Sequence, residues 1–358
     1  MSIQFGEFDH SKDLSLQREL FENAFPEHKG KSPGSVAHYL WKFQGFPLTP
    51  PSYEYVATEG RRMLGYYAAI PYPYEIGNQR VTAGMVCDVM THSEARGRGV
   101  FTKLGAFGLT GMEESNLDFV IGYPIRDEVM GGHLRVGWRV AFELPMYLKP
   151  LRADAILKSR HAGWLALPVN AGIAIYQAAF RRRRVTNEYD SVVGLPGDLL
   201  NSAEFDLFQR EWSENVRNNL VKSSDFYNWR LSAPGTEYQV FLIYRKDAIV
   251  AAAICREASL YDVPSYALLD LMVLKGNERA LPVIHRAIED EARDRRVEAI
   301  ATMMSRHNAR EYHLIRSGFL RSPFTFKVIL RSLSDEFAVE QVLEEKDWHL
   351  MWIDSDDL

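Results

Sequence analysis

The sequence predicts an α/β (α+β) protein of two domains, each with a mixed central sheet flanked by helices, joined by a helical connector. Three observations lead to this prediction. The chain has 358 residues, enough for two domains that each bury their own core. Strand-like and helix-like patterns alternate along it. The second half also repeats the order of elements of the first half.

Composition and charge narrow the classes of function. A formal net charge of −5 argues against a dedicated nucleic-acid binder, so no nucleic-acid partner is expected. The cysteines, Cys87 and Cys255, are too few for a disulfide framework and indicate a reducing compartment. No set of His, Asp or Glu has metal-ligand spacing, and the polar first residues lack the apolar run of a signal peptide. We therefore expect a cytoplasmic protein without a metal, whose oligomeric state stays open.

The first half contains, in order, strands and helices around one glycine-containing turn. A strand is predicted over 3–8 and a helix over 14–25, where apolar residues recur at helical spacing. A short aromatic-rich helix lies within 36–46, and a hairpin joins 53–58 to 63–70. The remaining elements are a strand over 80–90, a helix over 101–115, a strand over 119–123, a helix over 131–136 and a closing strand over 142–148.

The turn between the strand over 80–90 and the helix after it carries the sharpest chemical signal. Two arginines alternate with two glycines there, in the order Arg96, Gly97, Arg98 and Gly99. The first N–H groups of a helix have no intrahelical partner, and the helix dipole adds positive charge at that end. Glycine lets a phosphate approach the backbone, and the arginines add full charges. The pattern therefore predicts a pyrophosphate site.

Two common phosphate motifs do not fit this turn. A Walker loop needs Gly-Lys-Ser or Gly-Lys-Thr, but the chain has Gly99-Val100-Phe101, and the dinucleotide fingerprint lacks its third glycine at Thr102. The run Glu94-Ala95-Arg96-Gly97-Arg98-Gly99, with Asp88 in the preceding strand, resembles the coenzyme A pyrophosphate loop of the GNAT superfamily of N-acyltransferases. The order of elements around it is also similar to that of a GNAT domain.

The second half looks like a degenerate copy of the first. Residues 268–273 echo residues 86–91, with Asp270 in the place of Asp88. Where the first half has its glycine pair, the second has Asn277-Glu278-Arg279-Ala280-Leu281-Pro282. The chain thus resembles a tandem GNAT protein with a cofactor-competent N-terminal domain and one active site. The expected divisions are a GNAT domain over 1–150, a helical connector over 151–190, a degenerate GNAT-like domain over 191–331 and a C-terminal tail over 332–358.

The resemblance implies direct transfer of an acyl group from acetyl-coenzyme A, or another acyl-coenzyme A, to a primary amine of a small molecule. An amino sugar or a natural-product amine is an example of such an acceptor. The cofactor is expected between the strands over 86–91 and 119–123, and no acyl-enzyme is needed. The strand over 86–91 is expected to bind the pantetheine arm and the loop to bind the pyrophosphate. The residues expected to contact the cofactor are Val89, Met90, Thr91, Arg96, Gly97, Arg98, Gly99, Val100, Phe101 and Thr102.

Catalytic roles are expected at three positions. Asp88 is the first candidate for the general base, and a structural carboxylate is the alternative. His133 precedes Gly137 by four residues, where GNAT enzymes often hold the tyrosine that protonates the thiolate. A packing role is the alternative for His133, and Tyr123 is a rival acid.

Other interpretations remain open. The chain is alternatively a non-catalytic coenzyme A-binding scaffold or sensor, or a protein or peptide N-acetyltransferase. The connector has an apolar helix-like stretch that ends in the arginine run 181–184. A helix packed on the domains with a solvated basic end explains it. The alternatives are a lid over a substrate and a peripheral membrane contact through 162–184.

Overall fold

The structure of the chain is a computed structural model that describes residues 2–77, 79–181, 188–335 and 337–356. Its strands are β1 (Gln4–Glu7), β2 (Tyr53–Glu59), β3 (Arg62–Ile76), β4 (Gln79–Thr91), β5 (Phe119–Gly122), β6 (Arg139–Pro150), β7 (Tyr189–Gly194), β8 (Asn218–Leu220), β9 (Tyr238–Arg245), β10 (Ala248–Leu260), β11 (Val263–Val273), β12 (Ala299–Met303), β13 (Leu320–Ser332) and β14 (Trp348–His349). Its α-helices are α1 (His10–Ala24), α2 (Val36–Gln44), α3 (Val100–Glu114), α4 (Asp127–Arg135), α5 (Asp154–Ser159), α6 (Ala166–Arg181), α7 (Pro196–Leu199), α8 (Ala203–Ser213), α9 (Ser224–Arg230), α10 (Leu281–Asp294) and α11 (Arg306–Glu311). The predicted mixed α/β fold is confirmed.

The chain divides into two compact units that are interleaved along the sequence. The first unit consists of Met1–Phe142, Ser232–Gly235 and Lys327–Glu344. The second unit consists of Glu143–Leu231, Thr236–Phe326 and Glu345–Leu358. These units differ from linear blocks because β6 begins in the first unit and ends in the second, while β13 does the reverse. The linear boundaries at 150, 190 and 331 stay a proposal for the limits of the two repeats.

The sheet of the first unit has the order β1, β2, β3, β4, β5 and the end of β13. Its pairings are antiparallel except for that of β4 with β5, which is parallel. Helix α3 is the crossover between these two parallel strands, and it buries Val100, Leu104, Leu109 and Met112. This spacing places one apolar stripe of the helix on the sheet, as its periodicity predicts.

The hairpin of β3 and β4 is longer than the sequence predicts. Strand β3 continues past the predicted end at residue 70, and Pro71 and Pro73 lie opposite Gly84 and Thr82. Because these prolines are two residues apart, their missing N–H groups point to the same side of β3. The ladder to β4 continues past both of them, to Ile76 opposite Gln79.

The sheet of the second unit has the order β6, β12, β11, β10, β9 and β7. Its core is continuous from this sheet to Leu281, Ile284 and Ile288 of α10. The pair β8 and β14 lies off this path and brings the end of the chain into the same unit. There Trp348 and Trp352 are among the largest fully buried side chains.

The connector is helical, as predicted, and consists mainly of α5 and α6. Most of the arginine run that follows α6 lies in 182–187, outside the described residues. Within the described ranges, none of the helices combines the length and apolarity that a membrane span requires.

Candidate active site

The loop from His92 to Gly99 takes the conformation that an anion-binding turn needs. Gly97 has a φ of +79° and Gly99 a φ of +76°, and Gly99 is the N-cap of α3. L-residues rarely adopt this left-handed region, so the backbone itself requires glycine at both positions. No atom lies within 4 Å of an ideal Cβ at Gly97, so open space lies beside the loop.

The start of α3 offers backbone donors to that space. Among the described residues, the N–H groups of Gly97, Gly99 and Val100 donate no hydrogen bond to a backbone carbonyl. The N-cap has no side-chain acceptor, and the first turn of α3 holds no acidic residue. These donors and the helix dipole fit the pyrophosphate of a coenzyme A.

The two loop arginines are in different states. Arg98 makes a bidentate contact with the carboxylate of Glu59 on β2, with N–O distances of 2.7 and 3.2 Å. Arg96 is exposed and makes no ion pair within the described part of the chain. Arg96 is therefore the cation that is ready for a phosphate, whereas Arg98 must first leave Glu59.

Strands β4 and β5 stop pairing partway along β4, and we call the region between them beyond the last pair the cleft. The parallel ladder runs only from Ala83 opposite Phe119 to Val86 opposite Gly122, although β4 continues to Thr91. On the other side of β4 the antiparallel ladder to β3 has an irregularity, in which Asp88 and Val89 face one residue, Tyr67. Asp88 has a φ of +47° there. The bulge and the divergence leave backbone groups of 87–91 without a partner on β5, where the pantetheine arm is expected.

Asp88 lies in this bulge and is held by a lysine. Lys42 of α2 places its Nζ 2.8 Å from Oδ1 of Asp88, and the two side chains are 7% and 15% exposed. Burial raises the pKa of Asp88, but the charge and hydrogen bond of Lys42, with the charges of Arg18 and His38, outweigh it. The resulting pKa lies below the usual value, so Asp88 is a carboxylate at neutral pH.

His133 is an uncharged ring in an aromatic setting. It lies on α4, 5.1 Å from the ring of Phe101 and 5.2 Å from the ring of Trp138, and both contacts are edge-to-face. Burial lowers the pKa of His133 to about 4, so the ring is neutral at pH 7. Its Nδ1 has no hydrogen-bond partner among the described residues. Phe101 belongs to the first turn of α3, so this histidine packs directly behind the loop.

Tyr123 and a polar network complete the described groups around β4. Tyr123 follows directly after β5 and is buried. On the α1 and α2 side, the buried carboxylate of Glu54 accepts hydrogen bonds from the hydroxyl groups of Tyr39 and Tyr66. His10 lies 3.3 Å from the same carboxylate.

Sequence reasoning missed Lys42 and Glu54 as members of the candidate site. The available signal for Lys42 was its place in the pair Trp41-Lys42, which is echoed by Trp229-Arg230. Glu54 had no such signal in the sequence. Its burial and its hydrogen bonds depend on tyrosines of α2 and β3, which only the folded chain brings to it.

The second copy has the same arrangement of strands, but different side chains occupy its loop. The parallel ladder of β11 and β12 also ends after four pairs, at Leu268 opposite Thr302, and β11 is irregular just before Asp270. The loop that follows contains Glu278, whose Oε1 accepts from the N–H of Gly276 at 2.8 Å. Pro282 in the first turn of α10 removes a further N–H group.

The end of the chain occupies the mouth of this second cleft. Nε2 of His349 lies 3.0 Å from the carbonyl oxygen of Leu271, which corresponds in the repeat to Val89. Asn308, which follows β12, donates to the carbonyl of Trp348 at 3.0 Å. Residues 348–349 therefore bridge the two walls of the second cleft.

The comparisons with known proteins agree with this geometry. Residues 10–141 match the family model of the acetyltransferase (GNAT) domain. A GCN5-related N-acetyltransferase from Anabaena variabilis superposes with a TM-score of 0.65 at 14% identity, over 93% of this chain and 73% of that one. A tandem GNAT protein from the clavulanic acid biosynthesis pathway superposes with a TM-score of 0.59 at 14% identity, over 93% and 99% of the chains. Residues 10–141 therefore match a GNAT domain, and over most of its length the chain has the fold of these structures, one of which is a tandem GNAT protein.

A third similar structure was solved with a bound acyl-coenzyme A. N-myristoyltransferase from Saccharomyces cerevisiae, solved with bound myristoyl-CoA, superposes with a TM-score of 0.62 at 10% identity, over 93% of this chain and 79% of that one. The comparison with curated proteins gives no match. Among the described residues, no group of three or more His, Cys, Asp or Glu is placed to hold a metal ion.

Proposed function

We propose that the chain is an N-acyltransferase that moves an acyl group from an acyl-coenzyme A to a primary amine of a small molecule. The observation that carries the proposal is the position of the cleft. The ladder of β4 and β5 ends at Val86, and the same strand leads into the glycine loop at the start of α3. One strand thus connects donors for a pyrophosphate with backbone groups for a pantetheine arm.

Acyl-coenzyme A supplies the thioester carbon that the amine attacks. The roles of this chain are to hold the thioester in the cleft and to polarise its carbonyl with a backbone N–H of Val89, Met90 or Thr91. The new bond joins the amine nitrogen to the carbonyl carbon, and the carbon–sulfur bond breaks. One proton must leave the nitrogen and one must reach the sulfur.

Asp88 is suited to the nitrogen side of the reaction. Its lowered pKa makes it a poor base toward a free alkylammonium, so the nucleophile is the neutral amine, which has lost its ammonium proton to solvent before it attacks. Once the nitrogen has bonded to the carbonyl carbon it becomes acidic, and Asp88 then accepts its proton.

Tyr123 is the better candidate for the sulfur side. A phenol carries its proton throughout the neutral range. His133 is neutral because its pKa is about 4, so it can donate an N–H hydrogen bond but holds no extra proton. We therefore assign His133 to the support of Phe101 and the loop, and Tyr123 to proton donation.

The test is calorimetric titration with acetyl-coenzyme A and with a long-chain acyl-coenzyme A. The variant is Gly97→Glu with Gly99→Glu, which puts two carboxylates in the anion site, and its folding is checked by circular dichroism. The matched control is Gly276→Glu in the second copy, where the glycine also has a positive φ of +85°. We expect the double variant to weaken binding by at least about 100-fold and the control to leave it unchanged.

Turnover separates the competing functions. A panel of primary amines, followed by release of the free thiol, identifies an acceptor. Binding without turnover of any small amine, or of lysine-containing peptides, favours the scaffold or sensor. Turnover of peptides alone favours a protein N-acetyltransferase. If the folded wild type binds neither ligand, the acyltransferase proposal is wrong.

A further inference from the structure

The connector helix α6 presents an apolar face to solvent. Trp164, just before the helix, is 79% exposed, Leu167 is 85% exposed and Ile175 is 74% exposed. Exposed positions recur at helical spacing, and all of them are apolar, small or proline: Leu167, Pro168, Ala171, Gly172, Ala174, Ile175, Ala178 and Ala179. With Trp164, these residues form what we call the outer face of α6.

The polar residues of α6 point the other way and fix this orientation. Oδ1 of Asn170 accepts from the N–H of Ala153 at 2.9 Å, and its amide donates to Asp154 at 3.0 Å. Gln177 is buried and hydrogen-bonds to the carbonyl of Pro150 and to Arg293. Rotation of the helix to bury its outer face would leave these polar groups unpaired and would expose Val169 and Ile173 of the inner side, which is costly.

Helix α6 is apolar on both sides, because Val169, Ile173 and Tyr176 are partly buried on the inner side and the exposed residues listed above carry no polar side chain. A helix on a soluble domain buries its apolar stripe and exposes its polar one. Single exposed apolar residues are normal, but a continuous apolar face marks a surface that something covers. The outer face of α6 is therefore an interaction surface.

The charges around this face point to an anionic partner. Lys158 and Arg160 are exposed just before Trp164. At the other end of α6, Phe180 lines a cleft together with Arg286 and Arg316, both exposed. In the sequence no Asp or Glu occurs from 155 to 181, in a chain whose net charge is −5. Residues 182–187 lie outside the described part of the chain and are not counted in this surface.

We propose that the outer face of α6 binds the surface of an anionic lipid bilayer. The helix has 16 residues and so a length of about 24 Å, too short to cross a bilayer but suitable for lying in its interface. Leucine, isoleucine and tryptophan enter the acyl boundary, the small residues allow close approach, and the flanking cations meet the lipid phosphates. This inference does not depend on the proposed acyl transfer.

The test is flotation of the full chain with lipid vesicles. Vesicles of phosphatidylglycerol and phosphatidylcholine are compared with vesicles of phosphatidylcholine alone. The variant is Leu167→Glu with Ile175→Glu, and the matched control is Val193→Glu with Leu207→Glu, which changes two exposed apolar residues elsewhere in the same unit. We expect binding to the anionic vesicles only, reduced at least tenfold in the variant and unchanged in the control.

Two further measurements locate the contact. Lipids with brominated acyl chains should quench tryptophan fluorescence of the wild type, and Trp164→Phe should remove most of that quenching. Lys158→Gln with Arg160→Gln should weaken binding and reduce its dependence on salt.

Three outcomes overturn the proposal. The first is no binding to either vesicle, and the second is binding that the variant and the control reduce equally. The third is a concentration-dependent dimer in sedimentation that the Leu167→Glu, Ile175→Glu variant abolishes without any vesicle binding, which would make a second copy of the chain the occupant.

Discussion

The two copies of the fold share a framework and differ in what fills it. In each copy a parallel ladder of four pairs ends just before an aspartate, Asp88 in the first and Asp270 in the second. A helix then follows each strand after a short loop. The first loop leaves backbone N–H groups for an anion, whereas the second fills its own turn with the carboxylate of Glu278. The backbone framework is therefore not sufficient for a cofactor site.

The two aspartates show the same contrast in charge. Asp88 has one lysine 2.8 Å away and keeps partial exposure beside the cleft. Asp270 is fully buried, and Lys222 lies between it and Asp354 of the chain end, at 2.9 and 3.3 Å. Tyr227 also donates to Asp270 at 2.9 Å. The second site has become a closed ion network, so its residues should matter for stability and those of the first for function.

The largest expected effect is that of Lys222→Met on stability. Its removal leaves two buried carboxylates without their cation, which we expect to cost about 3–5 kcal/mol in the free energy of unfolding. Lys42→Met should cost about 1–3 kcal/mol, because Asp88 can reach water. Denaturation with urea measures both. Equal losses would contradict the contrast between the closed and the open site.

The next effect is that of Asp88→Asn on turnover. If Asp88 accepts the proton of the amine, kcat should fall by at least about 100-fold, or ~2.7 kcal/mol in the barrier, with the affinity for acyl-coenzyme A little changed. Asp270→Asn is the matched control, and we expect it to lower the free energy of unfolding. Retention of full kcat by Asp88→Asn would leave Asp88 with a structural role.

A smaller effect concerns the pH dependence of stability. Burial, with the nearby charge of Lys222, lowers the pKa of His349 to about 4 against an ordinary value of 6.5. Between these two pKa values, the imidazole of His349 therefore binds a proton in the unfolded chain but not in the folded chain. The contribution of His349 to the free energy of unfolding is fully present above pH 6.5 and is lost as the pH falls toward 4. His349→Gln should reduce the slope of unfolding free energy against pH by up to about 1.4 kcal/mol per pH unit.

That slope needs a control, because other buried groups titrate in the same window. His285 also has a pKa lowered to about 4, mainly by burial, and burial raises the pKa of Asp354 to about 6. The slope of His349→Gln is therefore compared with those of the wild type and of His285→Gln. An unchanged slope in His349→Gln would mean that this ring is charged or exposed.

The smallest effect is that of Glu59→Gln on cofactor affinity. The carboxylate of Glu59 engages the side chain of Arg98, and its neutralisation should free that arginine for a phosphate. Because the pair is exposed, we expect only about threefold tighter binding, which salt should diminish. Glu94→Gln, whose carboxylate lies 2.7 Å from Arg62, is the matched control. Weaker binding in Glu59→Gln would mean that the pair supports the loop.

Much of the framework could be predicted because it depends on local patterns. The apolar spacing of α3 and the β-favouring run before it locate the strand, loop and helix within a few residues. The positive φ at Gly97 and Gly99 follows from glycine in a tight turn. The helix after β5 begins at Asp127, earlier than the predicted residue 131, and its N-cap Arg126 makes no side-chain capping bond that could mark the start in the sequence.

The sequence by itself determined the mixed fold, its repetition and the difference between the two loops. These properties reside in residue type and spacing over a few positions. Only the tertiary structure decided that Lys42 pairs with Asp88, that His133 is neutral behind Phe101 and that His349 reaches Leu271. It also decided which apolar residues of α6 are exposed to solvent. Those outcomes depend on burial and on contacts between residues far apart in the chain, because long-range packing sets both the solvation of a charge and the face that a helix presents.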